Sequence, residues 1–252
     1  MQEQSAPIYD TISLQREAYG THERQWFEFL DHGAPHDTPA LVFVFVHGGY
    51  WRALDAGMHR FVLPALTTLG VGVANLEYRL MPDARMADLV NDVRQGMLSV
   101  GNRFANAKIV PIGHSAGAHL ALLALRNDEQ LSNQCKALIS ISGVFDLDTV
   151  SKSFLQSELH LTPREIEQFS ASSAPQSIQS LFIVGANETV FYREAAQAMA
   201  ASSPLASTLC LSPCHHMNIL SASFTEVSPL VPLLRDWLVG APIPDTYEVL
   251  IP

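Results

Sequence analysis

Basic residues are scarce in this sequence: 15 Lys and Arg stand against 25 Asp and Glu in 252 residues, a formal net charge of −10. Such a chain repels polyanions, and no cluster of Lys or Arg makes a local exception, so no nucleic-acid partner is expected. Cysteine is sparse too, at Cys135, Cys210 and Cys214. An odd set of three is no disulfide framework and fits a reducing cytoplasm. Cys210 and Cys214 lack the second Cys or His pair that a zinc site needs, so no metal and no cofactor are expected. No apolar run approaches the ~20 residues that span a bilayer. The opening MQEQSAPIYD has no basic stretch followed by an apolar one, so no secretory leader is read there. What is abundant is apolar material, 48% of residues against 16% charged, enough for a large core in a single α/β domain with a small insertion.

Short β-rich runs alternate with longer helical ones. Strands are expected at 25–30, 41–46, 71–77, 108–112, 137–142, 180–184 and 208–211. Runs such as LVFVFV and KIVPI are almost continuously apolar, as in strands covered on both faces. Helices are expected at 56–69, 84–100, 116–125, 193–201 and 224–238. In the second of these Met86, Leu89, Val90, Val93 and Met97 recur at helical spacing, with Asp83 as the cap. The pattern predicts a mostly parallel, doubly wound sheet flanked by helices. Residues 151–173 break the rhythm, either as a small lid-like excursion over the sheet edge or as an ordinary long connection. Within them Thr162 and Pro163 begin a short helix over 163–169. The tail APIPDTYEVLIP reads as a surface extension.

Gly113-His114-Ser115-Ala116-Gly117 fits G-x-S-x-G and lies between the strand KIVPI and the helical run AGAHLALLAL. That context makes it a nucleophile elbow, in which a tight strand-to-helix turn raises the Ser115 hydroxyl and small neighbours make room. His47-Gly48-Gly49-Tyr50-Trp51 follows the strand LVFVFV. Glycines there let backbone N–H groups approach an oxyanion, so Gly49, Tyr50 and Ala116 are the expected donors. Tyr50 and Trp51 are expected to wall the substrate pocket, and His47 to brace the loop. In an α/β-hydrolase the acid and the histidine follow the nucleophile in that order. Glu188 is the carboxylate in the turn after SLFIVG, with Asp146, one strand earlier, as its rival. The base lies in Pro213-Cys214-His215-His216-Met217, where either histidine serves and His216 is preferred for its place before MNIL. His114 and His119 read as packing residues around the elbow, and Cys214 is given no chemistry.

HGGYW, ALDAGMHRFVLPAL, GVGVANLEYRLMP, GHSAGAHLA, SGVFDL, GANET and HHMNIL together resemble the kynurenine formamidase (arylformamidase) branch of the α/β-hydrolases. The likeness covers residues 39–238. The neighbouring hormone-sensitive-lipase-like esterases carry a third glycine where Tyr50 stands. The resemblance implies cofactor-free cleavage of N-formylkynurenine to kynurenine and formate in tryptophan catabolism, with Ser115, Glu188 and His216 as the triad. The family acid is often aspartate, so Glu188 is a departure. The alternatives are a carboxylesterase acting on short-chain or aryl esters, and a hydrolase-fold binding protein that has lost catalysis. The expected partner is a small-molecule substrate, with no membrane association and a homodimer left open.

Overall fold

The computed structural model describes residues 13–30, 41–67, 72–105, 107–126, 128–225 and 230–249. Nine strands are described: β1 (Leu14–Ala18), β2 (Trp26–Leu30), β3 (Leu41–Val46), β4 (Gly72–Leu76), β5 (Lys108–His114), β6 (Ala137–Ile141), β7 (Gln179–Gly185), β8 (Ala206–Ser212) and β9 (Thr246–Glu248). They form one sheet in the order β1-β2-β4-β3-β5-β6-β7-β8-β9. β1 and β2 pair antiparallel, as do β2 and β4; every later pairing is parallel. This is the α/β-hydrolase fold.

The period-2 geometry of a strand explains how LVFVFV is apolar throughout. Val42, Val44 and Val46 enter the core on one face and Phe43 and Phe45 the core on the other, all at 0% exposure. Helices α2 (Met86–Arg103) and α3 (Ala116–Leu125) cover the valine face. The phenylalanine face is covered by a 3₁₀ segment (Gly57–Val62), α1 (Leu63–Thr67), α9 (Ile219–Ser223) and α10 (Leu230–Leu238). α4 (Glu129–Gln134) follows α3. After β6 come three short helices, α5 (Leu147–Ser151), α6 (Gln156–Leu159) and α7 (Pro163–Phe169); α8 (Val190–Ala201) follows β7.

The seven expected strands form within a residue or two of their read bounds. Two more were not legible. β1, LQREA, is mostly exposed and carries no alternation. The tail runs over the surface as read, but within it β9 pairs parallel with β8, and Val249 beyond it is buried. Pairing closes the edge that β8 would otherwise leave bare. α2 starts two residues later than read, and its N-cap is Arg85, whose N–H is bound by the Asp88 carboxylate at 2.8 Å, so Asp83 is not the cap. α7 has the expected start: Thr162 accepts from Glu165 N at 3.2 Å and Glu165 accepts from Thr162 N at 3.0 Å, with Pro163 in the first turn. The first ten residues, the strand start at 71, the helix end at 68–69 and part of the expected 224–238 helix lie outside the described residues. No described helix is long and apolar enough to cross a membrane.

Candidate active site

The order in which strands are laid down switches sides at β3: β4 lies on one side of it and β5 on the other, both parallel to it. A crevice opens at the carboxyl ends of the strands at such a switch point. The chemistry-bearing segments after β3, β5, β6, β7 and β8 all converge there.

Ser115 follows β5 directly and precedes α3, with φ 52° and ψ −117°. Such a conformation costs a non-glycine residue on the order of 1–3 kcal/mol, and the packing around it is built to impose it. A Cβ on Gly113 would lie 2.3 Å from Ala118 Cα, and one on Gly117 would lie 2.1 Å from Val46 O. Both glycines of the motif are thus required by close backbone approach. The Ser115 N–H donates to Ile141 O at 2.9 Å, tying the elbow to β6.

The loop after β3 is left-handed over three successive residues, Gly49 (φ 119°), Tyr50 (53°) and Trp51 (61°). Gly49 O accepts from Arg52 N at 3.1 Å and Ala53 N at 3.0 Å, which closes the turn. Among the described residues the N–H groups of Gly49, Tyr50 and Ala116 have no acceptor. Underneath, the buried Glu77 carboxylate accepts from Ala56 N at 2.7 Å and pairs with Arg24 Nη2 at 2.5 Å, while Arg24 also donates to Leu54 O at 2.8 Å. His47 stacks on Tyr78 with ring centroids 4.3 Å apart and places Nε2 3.4 Å from Glu77. It braces the loop, as expected.

Glu188 and His216 meet. Glu188 Oε2 lies 3.2 Å from His216 Nδ1, while Oε1 accepts from Gly185 N at 3.0 Å and from Ser142 Oγ. The Glu188 side chain is fully buried and that of His216 is 18% exposed. The ring of His216 sits between Tyr192, at 4.4 Å, and His114, at 5.1 Å. His215 points elsewhere: it is exposed, and its Nδ1 accepts from Met217 N at 3.2 Å. Asp146 is spent as the cap of α5, accepting from Asp148 N at 2.9 Å and from Thr149 Oγ1. Burial, then the neighbouring His216, pushes His114 well below its ordinary value. Burial, then His47, draws His59 down to about 4. Both imidazoles are neutral at pH 7.

Ser115, His216, Gly49, Tyr50, His59, Phe61 and Met217 line one cavity of about 540 Å³. Ser115 Oγ shares this cavity with the His216 imidazole, and among the described residues it has no hydrogen-bond partner. Trp51 does not wall the cavity: it is 1% exposed, and its indole N–H donates to His119 Nδ1 at 3.2 Å. Sequence reading missed three residues: Ser142, Tyr192 and Glu77. Ser142 sits in the quoted SGVFDL motif, yet only the fold brings its hydroxyl to Glu188.

The BD-FAE family model matches residues 30–206, from β2 to the start of β8. The chain belongs to the BD-FAE family. His216 lies just past that span, on the loop after β8. Among curated relatives of this BD-FAE chain, a kynurenine formamidase of Danio rerio is 29% identical over 157 residues, 60% of this chain and 53% of that protein. An isoprenylcysteine alpha-carbonyl methylesterase of Arabidopsis thaliana is 32% identical over 121 residues, 42% of this chain and 28% of that protein. The chain spans about half the length of the kynurenine formamidases it matches, or less. Among solved structures, a candidate thioesterase from Silicibacter superposes with a TM-score of 0.81 at 22% identity, covering 92% of this chain and 89% of that one. The likeness to kynurenine formamidases read from the motifs agrees with the kynurenine formamidases among these relatives, beside which the methylesterases also stand.

Proposed function

We propose that the protein is a serine hydrolase in which Ser115 is the nucleophile, His216 the general base and Glu188 the residue that orients the base. The observation that carries this reading is the Glu188–His216 hydrogen bond at one wall of the cavity that Ser115 lines. The Glu188 carboxylate only accepts, so His216 Nδ1 carries the proton and Nε2 keeps its lone pair for the serine hydroxyl. Ser115 then attacks a carbonyl carbon, and its proton passes to His216. The oxyanion is received by the free N–H groups of Gly49, Tyr50 and Ala116, at the positive end of α3. His216 returns the proton to the leaving amine or alcohol, and water, deprotonated by His216, cleaves the acyl-enzyme.

For substrate we propose a small aryl-formamide, N-formylkynurenine, cleaved to kynurenine and formate. Support comes from the kynurenine formamidase relatives and from Tyr50, which replaces a third glycine with an aromatic wall on the cavity. The methylesterase relatives favour a second reading, a carboxylesterase for short-chain or aryl esters. Comparing kcat/KM on N-formylkynurenine with that on aryl acetates and butyrates decides between them; a preference for the longer acyl chain sinks the formamidase reading. Ser115→Ala is expected to lower turnover by several orders of magnitude with substrate binding largely kept, and undiminished turnover there sinks the mechanism.

A further inference from the structure

Three successive residues of the loop after β3 reach the excursion that carries α5, α6 and α7. Tyr50 meets Phe154 edge-on with ring centroids 6.5 Å apart. Arg52 Nη1 pairs with Glu158 at 2.6 Å. Trp51 reaches it through His119 of α3: indole N–H to His119 Nδ1 at 3.2 Å, and His119 Nε2 to Phe169 O at 2.7 Å. The outer two contacts are solvent-exposed and individually weak. The middle one is buried throughout, with Trp51 at 1%, His119 at 0% and Phe169 at 9% exposure.

The proton arrangement of that relay is fixed by its ends. An indole N–H only donates, so His119 Nδ1 must hold a lone pair; a carbonyl only accepts, so Nε2 must hold the proton. One neutral tautomer satisfies both. The excursion is itself anchored. Arg85 donates to Leu159 O at 3.2 Å and His160 O at 2.9 Å, and its guanidinium pairs with Glu165, while Leu155, Leu159 and Leu161 are buried.

We propose that the excursion acts as a brace for the oxyanion loop, and that His119 is the positioning residue that transmits it to Trp51. This rests on the reading of Gly49 and Tyr50 as oxyanion donors. Trp51 and Tyr50 are both held at positive φ, a conformation that relaxes unless the surroundings over-determine it. If the indole loses its acceptor, the loop relaxes and the neighbouring peptide planes turn, the Tyr50 N–H among them. A misplacement of about 1 Å at such a site costs on the order of 100-fold in rate.

The test measures kcat, KM and Tm on an aryl acetate for wild type, His119→Leu, His119→Gln and Trp51→Phe, with labelling of Ser115 by a fluorophosphonate probe as the control. His119→Leu is expected to lower kcat about 10- to 100-fold with KM within about twofold. Glutamine carries an acceptor and a donor on one side chain, so His119→Gln is expected to recover most of that loss. Trp51→Phe is expected to lower kcat about tenfold, and the double variant with His119→Leu to be no worse than His119→Leu alone. A lowered Tm with unchanged kcat in His119→Leu overturns the brace and leaves a packing role. If His119→Leu does not fold, unchanged kcat in Trp51→Phe overturns it as well. A wild type inert to both the ester and the fluorophosphonate overturns the hydrolase reading and this inference together.

Discussion

Replacing Glu188 by Gln isolates the proton logic of the site. The substitution keeps the shape of the side chain, so its effect follows from the partners. Oε1 accepts from two donors, Gly185 N and Ser142 Oγ, and the Gly185 N–H cannot reverse its role. The glutamine carbonyl must therefore take the Oε1 position, which leaves the amide NH₂ facing His216 Nδ1, 3.2 Å away in the native arrangement. Two donors cannot face each other, so His216 is driven to the tautomer with its proton on Nε2. That nitrogen then has no lone pair for Ser115. Inverting this tautomer in other serine hydrolases costs about 10⁴ in kcat, which is about 5 kcal/mol of barrier. We expect kcat for Glu188→Gln to fall by about 10³–10⁴ on both an aryl acetate and N-formylkynurenine. The hydrogen-bond count is unchanged, so Tm should shift by only a few degrees. The control is Asp146→Asn, which touches a helix cap and should cost no more than about 1 kcal/mol of stability with kcat intact. Retention of more than a tenth of wild-type kcat by Glu188→Gln, or loss of activity in Asp146→Asn, would refute the reasoning.

Other perturbations test other links of the chain. Gly117→Ala places a Cβ 2.1 Å from Val46 O and should cost about 3 kcal/mol or more; a Tm within 2 °C of wild type would show that the elbow tolerates a side chain. Arg60→Met removes the guanidinium that clasps buried Glu28, leaving Asn75 and, at 3.8 Å, Arg16. The expected loss is about 3–5 kcal/mol at pH 7 by urea unfolding, and less at pH 5, because burial raises the Glu28 carboxyl and lets it protonate. His59 and His119 are both drawn by burial from 6.5 to about 4. The unfolded chain takes up protons below pH 6.5 that the folded chain refuses, so stability is lost as pH falls from 6.5 towards 4, by about 3 kcal/mol for each ring. His59→Gln should flatten that pH dependence of the urea midpoint, and an unchanged slope in the variant counts against a buried neutral His59.

What was legible in the sequence was whatever rests on local chemistry. LVFVFV is a central strand because both of its faces are covered, and apolar continuity records that directly. G-H-S-A-G declares the elbow because two close backbone approaches forbid any Cβ. Thr162 and Pro163 declare a helix start because a cap uses neighbours in the chain. The illegible parts depend on partners distant in sequence. β1 is polar and exists only by pairing with β2, and β9 only by pairing with β8. Ser142 is an unremarked serine until β6 and β7 lie side by side and bring it to Glu188. Trp51 looked like a pocket wall because aromatics beside a reacting centre often are; its burial and its bond to His119 follow from α3 lying beneath the loop, which no spacing along the chain reveals. Of the two adjacent histidines, it is the ring of His216 that faces Glu188, which likewise no spacing along the chain reveals.

The backbone strain of this molecule is concentrated where its chemistry is proposed to be. Six described non-glycine residues have positive φ: Tyr50, Trp51, Leu54, Ser115, Ser142 and His160. Five of them follow β3, β5 or β6 at the carboxyl end of the sheet; His160, in the excursion, is held through its carbonyl by Arg85. At on the order of 1–3 kcal/mol each, their sum rivals the net stability of a typical domain. Interactions that do not themselves meet substrate must offset it: Glu77 with Arg24 under Leu54, Glu188 with Ser142, Ile141 O with the Ser115 amide, and His119 with Trp51. Each of these joins a strained residue to a different strand or helix. Local unfolding of the loop therefore cannot proceed without breaking a buried polar pair, and a free buried partner costs about 1–3 kcal/mol, which offsets the strain that relaxation would relieve. The site is kept in a conformation its own residues disfavour by polar contacts one layer beneath it, so substitutions in that layer should act first on kcat and only then on folding.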